Sequence, residues 1–91
     1  MSGRLTELTN HFLLRWGERV GGVPTLAMVR QIMDASAPII NCIEFMDRQG
    51  RRRCQPAIYW HPDLHIVLKI DHMSGKAISV MSRDEWLKRW R

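Results

Sequence analysis

Leu64-His65-Ile66-Val67-Leu68-Lys69-Ile70 (LHIVLKI, 64–70) is the stretch on which the fold turns. Leu64, Ile66, Leu68 and Ile70 fall at every second position, the period of a strand that buries one face. His65 and Lys69 hold the alternate positions, so both are expected on the outer, polar face of a sheet.

On the C-terminal side, HMSGK (72–76) reads as a hairpin loop and Ala77–Met81 as a final strand. On the N-terminal side, Tyr59-Trp60-His61-Pro62-Asp63 is a turn, preceded by a strand over Cys54–Trp60. Pro56 cannot donate to a ladder, so that strand is an edge or begins after the proline. DRQGRRR (47–53) is a polar turn around Gly50. It joins to Ile39–Met46, a β-rich run with Ile39, Ile43 and Phe45 on one face. Consecutive strands joined by short loops predict an antiparallel meander.

Two helices are expected before the sheet. Leu5, Leu8, Phe12, Trp16 and Val20 recur at spacings of three and four, which predicts a helix from about Leu5 to Val20, with Thr6 as cap and Gly21-Gly22 as its end. A second helix is expected from Pro24-Thr25 to about Ser36, burying Leu26, Val29, Ile32 and Met33 and stopped by Ala37-Pro38. After the sheet, Ser82-Arg83-Asp84-Glu85 is a capping box that opens a short C-terminal helix through Trp86, Leu87 and Trp90. The predicted fold is α+β: two N-terminal helices packed on one face of a four-stranded antiparallel β-meander, then a short C-terminal helix. All of it lies in a single domain over residues 1–91.

The 91 residues leave room for one core, 45% of them hydrophobic and 25% charged. Such a chain buries roughly 60–65% of its unfolded surface, so any active site is expected to be a shallow charged surface. Fourteen basic residues face nine acidic ones, a formal charge of +5. Only Lys69, Lys76 and Lys88 are lysines. Guanidinium matches phosphate with a planar fork and stacks on bases, so the arginine bias points to a polyanion partner. Cys42 and Cys54 have no CxxC spacing and read as free thiols. No apolar run is long enough for a membrane span, and MSGRLTELTN lacks the form of a signal peptide, so a cytoplasmic location is expected.

Four groups carry chemistry. His11, Arg15 and Arg19 stand one helical turn apart in HFLLRWGERV (11–20); the arginines suit a phosphate and the imidazole suits proton exchange with a ribose hydroxyl. The bland alternative is a solvated stripe paired with Glu7 and Glu18. Arg48, Arg51, Arg52 and Arg53 form the densest charge, a loop suited to phosphates without base specificity or simply a soluble hairpin tip. Tyr59 and His61 sit in an aromatic turn that either stacks a base or packs at the core's rim. Lys69 adds a cation on the outer sheet face, which Ser79 shares if the register allows. His11, His61, His65 and His72 show neither HxH nor HExxH spacing, so no metal or other cofactor is expected.

A helix carrying H-x3-R-x3-R, a second helix and a four-stranded antiparallel meander resembles the RelE/barnase/EndoU-like superfamily of small endoribonuclease toxins, in its compact phage- or mobile-element-borne form. The residues that carry the resemblance are His11, Arg15 and Arg19, with the hairpin of residues 61–81. It implies metal-independent RNA cleavage, in which a general base activates the ribose 2′-hydroxyl, arginines hold the phosphate and an acid protonates the leaving oxygen. His11 matches the family's helix histidine, Arg15 its following arginine and Arg19 a second, weaker position. Ser79 is the nearest polar residue on the last strand, and an antitoxin protein becomes an implied partner. The Trp-bearing helix after Ser82 departs from the pattern.

A competing reading is a non-enzymatic, phage-like inhibitor that binds a host protein or nucleic acid and blocks it. Trp86 and Trp90, four apart on one helical face, either close this protein's own core or seat it on a partner or in a homodimer.

Overall fold

Thr9 determines how the chain enters the molecule. Its hydroxyl accepts from the Phe12 amide at 3.1 Å, capping helix α1 (Asn10–Arg19), and donates to the Ala77 carbonyl at 2.9 Å. A side chain that binds the last strand and starts a helix forces the preceding residues to be extended. Strand β1 (Glu7–Leu8) accordingly lies parallel to β7 (Lys76–Ser82), pairing Glu7 with Lys76 and Leu8 with Ala77. The expected helical turn over residues 5–9 is therefore corrected to an extended entry. Leu5 is still buried and Leu8 still packs inward.

The structure, a computed structural model, describes residues 5–41 and 43–89, with Cys54 and Arg89 described by backbone alone. After α1, the Val20 and Gly21 amides both close on the Trp16 carbonyl, and Gly21 takes φ +101°, a conformation that L side chains rarely adopt. Helix α2 (Leu26–Asp34) is capped by the Thr25 hydroxyl, which accepts from the Met28 amide at 3.1 Å. The strands β2 (Ala37–Ile40), β3 (Ile43–Met46), β4 (Arg52–Gln55), β5 (Ala57–His61) and β6 (Ile66–Asp71) follow. Helix α3 (Arg83–Arg89) comes after β7.

Among the described residues the fold is α+β, with three helices and a mainly antiparallel sheet. The expected four-stranded meander is replaced by a five-stranded mixed sheet in the order β1-β7-β6-β5-β2, with β3 and β4 as a separate pair. One long hairpin supplies β2–β3 and β4–β5. It is interrupted at Asn41 on one arm and at Pro56, which has no amide to give, on the other. The 64–70 run is also shorter than its alternation implies. Leu64 and His65 belong to the turn, with His65 at φ +54°, and the strand begins at Ile66. His65 is thus not on the outer sheet face beside Lys69.

Both faces of the sheet are covered, which corrects the expectation of helices on one face. Phe12, Trp16, Val29 and Met33 of α1 and α2 pack on Tyr59, Ile66, Leu68, Ile70 and Val80. On the opposite face Ile58, Val67 and Met81 are buried beneath Trp60 and the α3 residue Trp86. Apolar side chains at consecutive positions of β5 and β6 belong to a sheet with two covered faces. Among the described residues no helix is long and apolar enough to cross a membrane.

Candidate functional site

Because β1 pairs only with Lys76 and Ala77, α1 passes alongside the remainder of β7. A cavity of about 180 Å³ opens there, lined by His11, Arg15 and Arg19 of α1, by Ser79, Val80 and Met81 of β7, and by Glu85 of α3. The fourfold spacing of the three α1 residues places them along one edge of the helix, beside its buried Phe12 and Trp16. Anchoring that buried face on the sheet brings the charged edge to the stretch of β7 that β1 leaves unpaired, where Ser79 lies. His11, Arg15 and Arg19, expected as one group, and Ser79, the candidate that the resemblance drew from the last strand, therefore surround one space.

The electrostatics of that space are balanced. Arg15 Nη1 lies 3.0 Å from Glu18 Oε2, and Arg19 Nη1 lies 3.4 Å from the same oxygen. Arg19 also meets Glu85 side-on, its Nη2 donating to Oε2 at 2.8 Å while its Nε faces Oε1. The guanidinium hydrogen bond, opposed by partial burial and helped by the Ser82 amide and hydroxyl, holds the Glu85 carboxyl down at about 2. The same hydrogen bond raises the Arg19 pKa. Among the described residues neither the His11 imidazole nor the Ser79 hydroxyl has a hydrogen-bond partner, so both are open to an incoming group.

The sequence reading missed Glu85 as a site residue. Its capping box forms as expected: the Ser82 amide donates to Oε1 at 3.1 Å, and the Glu85 amide donates to Ser82 Oγ at 3.3 Å. No local signal shows that a capping carboxylate also reaches a helix 66 residues away. Glu18 is a local ion-pair partner, as the bland reading anticipated, whereas Glu7 pairs with Lys76 at 3.6 Å.

The other expected site residues lie elsewhere. Lys69 is the cross-strand partner of Ser79 and shares its sheet face, but does not line the cavity. Arg48, Arg51, Arg52 and Arg53 sit on the β3–β4 hairpin, beyond the β2–β5 side of the sheet. Three strand spacings, about 14 Å, separate β7 from β2, so these two basic groups do not converge. Tyr59 is 6% exposed, and its hydroxyl lies 2.6 Å from His72 Nε2 inside the fold. Burial raises the Tyr59 pKa, with a further push from Asp34, and lowers that of His72 against the opposing pull of Asp71. His61 is also buried, and its Nδ1 accepts from the Leu64 amide at 3.1 Å. Tyr59 and His61 therefore pack and close a turn; neither offers a ring face to a base.

Trp86 packs on the second sheet face and lines an apolar groove of about 190 Å³ with Ile39, Trp60, Arg83 and Leu87. Trp90 and Cys42 lie outside the described residues, as does the Cys54 side chain. Among the described residues no three His, Cys, Asp or Glu side chains come together as metal ligands. No family model, no curated protein and no solved structure matches this chain.

Proposed function

We propose that the protein is a small basic RNA-binding protein whose cavity between α1, β7 and α3 cleaves RNA without a metal, as an endoribonuclease of toxin type. The observation that carries this reading is the meeting of His11, Arg15, Arg19 and Ser79 around one phosphate-sized space. The His11 imidazole takes the proton of a ribose 2′-hydroxyl, whose oxygen attacks the adjacent phosphorus. Arg15 and Arg19 balance the charge that builds on the non-bridging oxygens, and Ser79 Oγ donates a hydrogen bond to one of them. The bond from phosphorus to the 5′-oxygen breaks, and the imidazolium returns its proton to that oxygen. The products are a 2′,3′-cyclic phosphate and a 5′-hydroxyl.

The pairs that Arg15 and Arg19 make with Glu18 are partly open to water, where such pairs are weak, so a phosphodiester displaces Glu18 while Arg19 keeps its side-on contact with Glu85. A cytoplasmic setting and an antitoxin partner that occupies the same cavity go with this reading. Its test is incubation of end-labelled RNA with purified protein in chelator. A 3′ end that resists phosphatase until acid opens the cyclic ester supports the mechanism. Intact RNA rejects it.

The alternative, a non-enzymatic inhibitor docking on a host protein or a second copy of itself, draws on the apolar groove beside Trp86. Absence of cleavage by the wild-type chain, together with release of a bound partner by Trp86→Ala, would favour it.

A further inference from the structure

The hairpin of β3 and β4 stands outside both packed faces. Every described residue of β3 is exposed, including Ile43 at 52%, Phe45 at 51% and Met46 at 64%. A two-stranded ribbon that buries so little is marginal by itself, and large side chains held out on it gain nothing from the core. Register shows what surrounds them. Phe45 lies directly opposite Arg53, and Ile43 opposite Gln55, so these four share one face of the ribbon. The connecting turn adds Arg48 and Arg51.

Charge distinguishes this arm from an ordinary apolar patch. Four arginines face only two carboxylates between residues 43 and 55. Glu44 takes Arg52, and Asp47 takes Arg53 at 3.0 Å, while among the described residues Arg48 and Arg51 form no ion pair. Asp47 is also occupied by the Gln49 and Arg51 amides, which fix the turn and, with the Arg53 hydrogen bond, hold its carboxyl below the usual range. The result is a ribbon with an exposed aromatic ring on one face, closed by a hydrogen-bonded turn that carries unneutralised guanidiniums at its tip. A second copy of the arm would bring its arginines against these, so self-pairing is opposed by charge.

Resting on the RNA-binding reading above, we infer that the β3–β4 arm is a docking element for single-stranded RNA, with Phe45 stacking on an unpaired base and Arg48 and Arg51 meeting the flanking phosphates. A ring on a ribbon face reaches a base only when that base is unstacked, so duplex RNA gains the arginine contacts and not the ring. The arm lies at the far side of the sheet from His11, so it holds a strand remote from the cleaved bond.

The test is fluorescence anisotropy with a labelled 2′-O-methyl uridine dodecamer, which lacks the attacking hydroxyl, and with a duplex of equal length. Phe45→Leu, which keeps apolar bulk but removes the ring, is expected to weaken single-strand binding about tenfold and to leave duplex binding unchanged. Phe45→Trp is expected to bind the single strand within about threefold of wild type. Arg48→Ala with Arg51→Ala is expected to weaken both probes alike. Full-strength single-strand binding by Phe45→Leu overturns the inference while leaving the RNA-binding reading standing. No binding of either probe by wild type overturns both. If Phe45→Leu instead dissolves a dimer in sedimentation and leaves RNA binding intact, the arm is a self-association surface and the inference fails.

Discussion

Arg19 on α1 and Glu85 on α3 meet side-on across 66 residues of chain, with Nη2 donating to Oε2 at 2.8 Å. Glu85 is at the same time the capping carboxylate that accepts from the Ser82 amide and hydroxyl. One side chain thus starts the last helix, closes one wall of the cavity and ties that helix to the first. This connection sets both the shape of the site and part of its pH response.

The pH response has a definite direction. An unfolded glutamate titrates near 4.5 and the folded Glu85 near 2, so as pH falls the unfolded chain binds the proton first. The stabilisation is complete above about 4.5 and is lost as pH drops toward 2. Melting curves of wild type and Glu85→Gln are expected to differ most at pH 6 and to converge as pH approaches 2. A constant gap across that range contradicts the assignment.

Thr9 and Thr25 are both helix caps, but only Thr9 also binds the sheet, through the carbonyls of Ala77 and Ile78. Replacing a capping threonine by alanine costs about 1 kcal/mol. Urea unfolding is expected to show that cost for Thr25→Ala and a larger one for Thr9→Ala, because β1 loses its anchor as well. Equal costs would mean that the extended entry of the chain contributes nothing.

Leu68 is fully buried under α1 and α2, whereas Leu14 on α1 is 60% exposed. Leu68→Ala is expected to destabilise by about 2–5 kcal/mol through lost burial and the cavity left behind. Leu14→Ala is expected to stay within about 0.5 kcal/mol, as surface changes do. Denaturant midpoints with unchanged slopes would read both.

Much of this fold is legible in the chain, and the failures share one cause. The alternation of 66–70, the turn around Gly50 and the Ser82–Glu85 box are local signals, and each yields its element near the expected place. The fourfold spacing of His11, Arg15 and Arg19 likewise needs only a helix to line the three up. Leu5 and Leu8 mislead because an extended segment beside β7 buries the same residues that a helical stripe would. The contacts of Thr6 and Thr9 with carbonyls 69 and 68 residues away distinguish the two cases. Ile58, Val67 and Met81 are individually unremarkable in sequence, yet together they form a second buried face that calls α3 across the sheet. Tyr59 and His61 look available until His72, brought across from the β6–β7 turn, and the Leu64 amide of the turn that His61 itself closes are seen to occupy them.

Salt separates the basic arm from the cavity. Each phosphate contact on a single strand adds about 0.7 to the slope of log affinity against log salt. Removing Arg48 and Arg51 together is therefore expected to flatten that slope by about 1.4 units. An unchanged slope would show that the arm's tip does not touch phosphate.

Single-turnover cleavage of an end-labelled RNA in chelator, by wild type and His11→Ala side by side, bears most directly on the proposed chemistry. Removal of a general acid–base group typically costs about 10²–10⁴ in rate. The expected result is a loss of that size in His11→Ala with an unchanged melting temperature, because His11 is exposed at the cavity and outside the core. Equal rates for the two proteins, or RNA left whole by wild type at saturating concentration, would contradict it.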